Sequence, residues 1–469
     1  MSRIRKRNKS SSSSLALYKT THIEIEDVEK QLYLSDNDLE IILSKLSYEM
    51  DKGLSKETNP QATVKMLPSF AKLPSGMETG SFMALDLGGT NFRVLLITIT
   101  SSDDGQAIDM DSQIYKVPED IMVSDGEDLF DHIASCMADF LRVIGMENET
   151  FDVGFTFSFP CTQHSINSAS LISWTKGFHC KNVEGRDVVQ LLDAAIKKRG
   201  EINVNVVAIV NDTVGTLVSC AFAEPDTKIG LIVGTGSNAC YLEKKSNIEL
   251  IDDNEGDMIV NMEWGAFGDD GALDEYRAEY DQLVDDASLN SGKQKFEKMI
   301  SGMYLGEIVR LCLCKLTEQS VIFRGVMPEV LSKRGCFQSS FVSDVENAIE
   351  EGMLAVQNVL ASLGICQARG SDCAVVVRVC QAVSNRAANL CSVGIAAVAR
   401  KIKSNYPEEN KLIMTCGVDG TLYKKHPTFS KKVFTKVQQL VMDYDIDVHF
   451  VLSYDGSGKG AALVAATCV

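Results

Sequence analysis

Residues 82–100, Phe-Met-Ala-Leu-Asp-Leu-Gly-Gly-Thr-Asn-Phe-Arg-Val-Leu-Leu-Ile-Thr-Ile-Thr, decide the fold. Two apolar runs flank Gly88-Gly89, which predicts strands at Phe82–Leu87 and Phe92–Thr98 joined by a tight glycine turn. Glycines accept the positive φ of such a turn, and their bare backbone lets an anion approach the N–H groups. Thr90 and Asn91 add polar groups at the tip, Arg93 adds a positive charge, and Asp86 is a carboxylate able to hold the water shell of a phosphate-bound Mg²⁺. An ordinary hairpin with a polar tip suits the same residues, and on this stretch alone the two readings stand side by side. A P-loop is excluded, because no Gly-Lys-[Ser/Thr] ending opens a helix here.

The device occurs a second time. Residues 229–243, Ile-Gly-Leu-Ile-Val-Gly-Thr-Gly-Ser-Asn-Ala-Cys-Tyr-Leu-Glu, again run from a strand through a Gly/Thr/Ser/Asn turn and back. Gly417-Val418-Asp419-Gly420-Thr421, following Leu412-Ile413-Met414, is a weaker third relative. Two such turns facing each other would grip the phosphates of a nucleotide. That arrangement resembles the superfamily of actin, the heat-shock chaperones and the sugar kinases. The resemblance implies an α/β fold: two ribonuclease-H-like (actin-like ATPase) lobes flanking a cleft, each a mixed β-sheet with helices.

Further segments narrow the resemblance. Phe157-Ser158-Phe159-Pro160-Cys161, Trp174-Thr175-Lys176-Gly177-Phe178, Asn211-Asp212-Thr213-Val214-Gly215 and Asn261-Met262-Glu263-Trp264-Gly265-Ala266-Phe267-Gly268 look like the sugar-site segments of the eukaryotic hexokinases. So do Phe296-Glu297-Lys298 and Ser453-Tyr454-Asp455-Gly456-Ser457-Gly458-Lys459-Gly460, and the set keeps the family order from about Leu32 onward. The resemblance implies phosphorylation of glucose and related hexoses at the 6-hydroxyl by ATP with Mg²⁺, the first step of glycolysis, by induced fit.

Residue by residue, the resemblance makes Asp212 the general base and Lys176 the cation at the transferring phosphoryl group. On its own, Asp212 follows the apolar-rich stretch Val204–Val210, which reads as a buried strand, and it suits either a base in a desolvating cleft or a helix N-cap. Either Asn211 or Asp212 would cap while the other faces substrate. The sugar ligands carried over are Ser158, Thr175, Lys176, Asn211, Asp212, Asn238, Glu263 and Glu297. Ring hydroxyls both donate and accept, so carboxylates and amides suit them. Glu297 alone, in Lys-Phe-Glu-Lys on a helix, reads equally as a salt-bridged surface residue. The nucleotide set is Asp86, Gly88, Gly89, Thr90, Asn91 and Arg93 at the first turn, and Gly234, Thr235 and Gly236 at the second. Asp419, Gly420, Thr421, Ser457 and Gly458 complete it. Phosphate turns beside a sugar pocket also lead us to expect glucose 6-phosphate as a product inhibitor, its phosphate near Asp86, Gly88 and Thr90. Ser291, where many members carry proline, and the loop Asp125-Gly126-Glu127 depart from the family pattern and put loop stiffness in question. Two other readings are kept: a catalytically weak hexokinase-like sugar sensor, and an actin- or chaperone-like ATPase. Intact Lys176, Asp212 and phosphate turns argue against the first, and the hexose ligand set against the second.

Composition bounds the rest. With 469 residues, 45% hydrophobic and 23% charged, the chain reads as a soluble two-domain globular protein. A net charge of −18 argues against nucleic-acid partners, and no apolar run is long enough to predict a membrane span. The 14 cysteines include no Cys-x-x-Cys, and Cys220, Cys240, Cys380, Cys391 and Cys416 sit inside apolar runs, so buried reduced thiols of a reducing compartment are expected. The six histidines show no metal-ligand spacing. The first 20 residues are basic and serine-rich. They read as a disordered cytoplasmic tail, with an organelle transit peptide or a nuclear signal as alternatives.

The expected organisation is a tail at 1–21, a helical segment at 22–74 packing on the larger domain, a small domain at 75–212 with helix 457–469, and a large domain at 213–456. Helices are predicted at 35–56, with Leu39, Ile42, Leu43 and Leu46 on one face, and at 128–141, 293–319, 345–362, 385–403 and 458–466.

Overall fold

The first two glycine turns are each flanked by the antiparallel strands that the sequence predicts, and the two pairs seed two mixed sheets. The computed structural model describes residues 23–469 apart from 89–90, 103–104 and 175–176. The predicted site residues Gly89, Thr90, Thr175 and Lys176, and the basic tail, lie outside the described residues.

In chain order the strands are β1 (Leu67–Pro68), β2 (Gly80–Leu87), β3 (Asn91–Ser102), β4 (Gly105–Lys116), β5 (Thr150–Phe157), β6 (Cys161–Ser165) and β7 (Ser168–Leu171). They continue with β8 (Asn203–Val210), β9 (Thr227–Val233), β10 (Ser237–Lys244), β11 (Asp257–Asn261), β12 (Leu412–Asp419) and β13 (Ile446–Leu452). One sheet has the order β4-β3-β2-β5-β8 and the other β1-β11-β10-β9-β12-β13. In the first, β4, β3 and β2 are antiparallel while β5 and β8 run parallel to β2. In the second, β11, β10 and β9 are antiparallel while β12 and β13 run parallel to β9. The second sheet therefore repeats the first and adds β1 at its edge. Pro68 is tolerated there because an edge strand needs no donor on its outer side. This is the expected architecture of two α/β lobes.

Two helices join the sheets. Asp212–Ala223 follows β8 directly, and Gly456–Ala466 follows β13. They pack against each other within one buried core that takes Leu95 and Ile97 from β3, Val214, Leu217 and Val218 from the first helix, Cys240 and Ile259 from the other sheet, and Ala461–Ala466. Their backbones nearly touch: a Cβ on Gly460 would overlap the Gly215 carbonyl, and one on Gly154 of β5 would overlap the Ala461 carbonyl. Only glycine fits at either place.

Helix Asp36–Leu54 starts at the predicted cap. Ser35 accepts the Asp38 N–H at 3.1 Å, Asp38 accepts the Ser35 N–H at 2.8 Å, and Leu39, Ile42, Leu43 and Leu46 are buried. The predicted helix at 128–141 runs Gly126–Val143, capped by Asp125. Several expectations are corrected. The helix expected at 293–319 is two, Lys295–Ile300 and Leu305–Glu318, because the Gly302 and Met303 N–H groups turn aside to the carbonyls of Gly234 and Thr235 at 2.7 and 3.1 Å. The helix expected at 345–362 is likewise two, Ser339–Asn347 and Met353–Ser362, parted at Gly352, whose φ is +94°. The alanine-rich helix is longer than predicted, Gly370–Ser404. The third glycine turn is no hairpin: β12 ends at Asp419 and a helix, Thr421–Lys425, follows. The stretch Val204–Val210 is buried only in its second half, Asn203 and Asn205 being exposed.

The five cysteines singled out by sequence are buried, and burial pushes the Cys391 thiol up to about 12, so it stays protonated. Among the described residues no helix is long and apolar enough to cross a membrane.

Gly460→Val places side-chain atoms where the Gly215 backbone lies. We expect it to lower the unfolding free energy by about 3 kcal/mol, the upper range for overpacking, in urea denaturation. Gly370→Ala, which meets open space at the start of its helix, is the control and should shift it by no more than about 0.5 kcal/mol.

Candidate functional site

The C-terminal ends of β2, β5, β8, β9 and β12 point to one place, the side at which open α/β sheets collect their functional groups. The space there is about 390 Å³ and is walled by Asp86, Gly88, Arg93, Ser158, Asp212, Thr216, Ile232, Asp419, Gly420, Lys424, Asp455 and Ser457. Eight of the residues predicted from sequence meet on this wall: Asp86, Gly88, Arg93, Ser158, Asp212, Asp419, Gly420 and Ser457.

Register fixes the first group. In the β2–β3 pair Asp86 stands opposite Arg93, and the Arg93 guanidinium lies 3.3 Å from the Asp86 carboxylate. The same guanidinium contacts Asp455, and the Ser457 hydroxyl donates to Asp86 at 2.6 Å. Burial lifts the Asp455 carboxyl above the ordinary carboxylate value; Arg93 opposes the shift and Asp86 adds to it. Ser457 is held from behind, its carbonyl accepting the Thr156 hydroxyl at 2.9 Å. Arg93, expected among the nucleotide contacts, has its guanidinium engaged by two carboxylates, Asp86 and Asp455, which it orients.

The choice left open between Asn211 and Asp212 is resolved by geometry. Asn211 is the N-cap, its side chain accepting the Thr213 N–H at 2.9 Å and the Thr213 hydroxyl at 2.7 Å. Asp212 is the first residue of the helix and opens onto the cavity, with one carboxylate oxygen 2.9 Å from the Thr213 N–H. A helix N-terminus favours the ionised carboxylate there.

Beside the cavity lies a narrow recess of about 30 Å³, to which Asn211, Asn261, Glu263, Phe157 and Phe159 contribute. Asn238 donates to Asn261 at 2.8 Å and to Glu263 at 3.2 Å, and Asn261 donates to Glu263 at 2.8 Å. Glu297 reaches the second hairpin, accepting the Ser237 N–H at 2.9 Å. Its helix, Lys295–Ile300, is capped from a distance: Asp269 accepts the N–H groups of Gln294 and Lys295 at 3.1 and 3.0 Å. An aromatic cluster of Phe157, Phe159, Trp174 and Phe178 supports the Ser158 loop, with Trp174 stacked on Phe178 at 5.4 Å. The Trp174 indole donates to the Cys180 carbonyl at 2.9 Å.

Other predicted residues stand off the cavity wall. Asn91 is exposed at the start of β3, and Thr235 and Thr421 are exposed. Gly234 is buried in the turn, Gly236 lies against the Glu297 carboxylate, and Gly458 is buried beneath Leu95 and Arg93. Sequence reasoning missed Asp455, Asn261, Thr216, Lys424 and the Gly302–Met303 support. Asp455 and Asn261 lay inside quoted segments, and their signal was their place beside residues already chosen.

Family models described as hexokinase match residues 24–222 and 228–467. The chain is 50% identical to Hexokinase-1 of Rattus norvegicus over 449 residues, 96% of this chain and 48% of that protein. It is 49% identical to Hexokinase-2 of Homo sapiens over 450 residues, 95% of this chain and 48% of that one. The chain thus spans about half the length of the curated relatives it matches. Among solved structures, the hexokinase from Schistosoma mansoni complexed with glucose superposes with a TM-score of 0.87 at 42% identity, covering 96% of this chain and 99% of that one.

The capping geometry generates a stability test. Asn211→Ala removes both bonds to Thr213 and should cost about 1 kcal/mol, the usual price of a lost N-cap, whereas Asn211→Asp should retain most of it. Equal melting of Asn211→Ala and wild type by calorimetry would contradict the capping role.

Proposed function

The chain belongs to the hexokinase family, and on that premise we propose that it transfers the γ-phosphoryl group of ATP to the 6-hydroxyl of glucose and related hexoses. The observation that carries this reading is that Asp212 and Ser158 share one cavity with Asp86, Asp419 and Ser457. A base for the acceptor hydroxyl and the groups expected around a nucleotide's phosphates therefore open onto the same space. The adjoining recess, with Asn211 and Glu263, supplies amide and carboxylate partners for ring hydroxyls, and Asn238 and Glu297 stand next to it.

In the proposed reaction the sugar 6-oxygen attacks the γ-phosphorus while the bond from phosphorus to the β–γ bridging oxygen breaks. The hydroxyl proton passes to the Asp212 carboxylate, and ADP leaves with the bonding pair. Asp212 suits the role because the start of its helix favours the unprotonated form. Lys176, by family resemblance, supplies positive charge at the transferring group, where charge spreads over the phosphoryl oxygens. Mg²⁺ carried with ATP would supply positive charge against the phosphates. The Asp86 carboxylate fits the task of holding its water shell, since the Ser457 hydroxyl and Arg93 fix its orientation. Glucose 6-phosphate, placing its phosphate at the first turn, would exclude ATP and inhibit. We place the activity in the cytoplasm.

A coupled assay with ATP-Mg²⁺ and a panel of hexoses tests the reading directly. Glucose binding without turnover in the wild type would favour the sensor reading instead. Asp212→Asn should lower kcat at least about 10²-fold, the scale of a lost positioned base, and retention of more than a tenth of wild-type kcat would remove Asp212 from that role.

Closure is the second expectation. Ser158 stands at the end of the five-stranded sheet, while Asn238, Glu263 and Glu297 belong to the other lobe. A sugar held from both sides binds the closed state better and shifts the equilibrium toward it. Small-angle scattering should show a smaller radius of gyration with glucose and no comparable change with ATP-Mg²⁺ alone. Trp174 fluorescence should change with it. A saturating glucose titration that moves neither signal would mean a preformed rigid cleft.

A further inference from the structure

We propose that Glu346, remote from the reacting atoms, is a positioning residue for the nucleotide face of the cavity. The inference rests on the phosphoryl-transfer reading above. Glu346 lies near the end of helix Ser339–Asn347 with its side chain 2% exposed. A buried carboxylate without partners is unfavourable by several kcal/mol, yet this one gathers donors from three other elements. The Ser384 hydroxyl reaches it from helix Gly370–Ser404. The Thr428 hydroxyl at 2.9 Å and the Lys432 ammonium at 3.0 Å reach its other oxygen from the start of helix Phe429–Val441. Burial alone would raise the carboxyl, but His426, Lys432 and Ser384 outweigh it and hold it at about 2.

The fourth partner links this cluster to the cavity. His426 is fully buried, its Nε2 3.4 Å from Glu346. Its Nδ1 accepts the Thr428 N–H at 3.3 Å, so the ring is held between Thr428 on one side and the Glu346 carboxylate on the other. His426 is also the C-cap residue of helix Thr421–Lys425. Just before that helix, Asp419 and Gly420 form part of the cavity wall; Lys424, near its C-terminal end, also lines the cavity and ties Asp419 at 2.8 Å to the Ser453 carbonyl at 2.5 Å. The short helix thus carries groups of the cavity wall, and Glu346 anchors it through His426, the residue that ends it. Its own helix begins at Ser339, whose hydroxyl accepts the Gly306 N–H at 2.9 Å, close to the Gly302 contact that supports the second hairpin. The groups on the sugar side are carried by β8, β10, β11 and helix Lys295–Ile300, which Glu346 does not touch.

Glu346→Gln should therefore raise KM for ATP about five- to tenfold, less than a directly lost charge-assisted contact because the change reaches the nucleotide only through the short helix, and leave KM for glucose within about twofold. ADP affinity by calorimetry should fall by the same factor. His426→Phe, which removes the imidazole donor, should behave like Glu346→Gln, and His426→Gln, which keeps a donor there, should recover most of the affinity. His426→Phe decides the matter if Glu346→Gln does not fold. A lower kcat with unchanged KM for ATP and unchanged ADP affinity would mean that the cluster only stabilises the fold, and would overturn the inference. Should the wild type phosphorylate no hexose while both variants still weaken ADP binding, the functional reading would fail and the positioning role would stand.

Discussion

The close approach of helices Asp212–Ala223 and Gly456–Ala466 is the contact on which the molecule depends. Each helix follows the last parallel strand of one sheet, and both lie in the core between the sheets. Gly215 and Gly460 let the backbones meet where any side chain would hold them apart. Because both helices begin at the same side, Asp212 and Ser457, one at the start of each, open onto one cavity. The glycine contact that joins the lobes therefore also brings the proposed base beside the carboxylate cluster of the first hairpin.

The charge balance of that cavity constrains how an anion can be held. Among the described residues its wall carries four carboxylates, Asp86, Asp212, Asp419 and Asp455, against two cations, Arg93 and Lys424. Arg93 is occupied by Asp86 and Asp455, and Lys424 by Asp419. In a chain of net charge −18, a bare polyphosphate would meet a repulsive wall. On the proposed function, a metal carried with the nucleotide and the lysine implied at 176 by the family resemblance would answer that repulsion. This is why the functional reading assigns Arg93 to orientation rather than to phosphate binding.

Much of the fold was legible because the relevant signals are local. Gly88 and Gly234 sit between apolar runs, and the strands on either side of each follow from that pattern; Ser35 and Asp38 announce a helix start that forms as written. What escaped was decided by partners distant in sequence. The helical pattern over 293–319 is real, but carbonyls of Gly234 and Thr235 claim the Gly302 and Met303 N–H groups and break it. Asp455 gave no periodic signal, since its role comes from Arg93, more than 300 residues earlier. Asp212 and Asn211 could not be told apart by propensity, because both suit a cap; the point at which the helix starts and the opening of Asp212 onto the cavity separate them.

Strain marks which side of the site is preformed. Glu263 and Gln294 are not glycines, yet their φ values are +53° and +57°. Such conformations cost of order 1 kcal/mol each and persist only where neighbours over-determine them. Glu263 is fixed by the amides of Asn238 and Asn261, and Gln294 by Asp269, which accepts its N–H. Both strained positions belong to the six-stranded side, where Glu297 is in turn tied to the second hairpin. The Asn238–Asn261–Glu263 network and the Glu297 contact are therefore held in place by that lobe's own neighbours. Ser158 stands on the cavity wall on a loop resting on its own aromatic cluster in the other core. Closure on a sugar would then be a movement of one finished surface onto another, with the glycine contact between the two helices as the place where the lobes already touch.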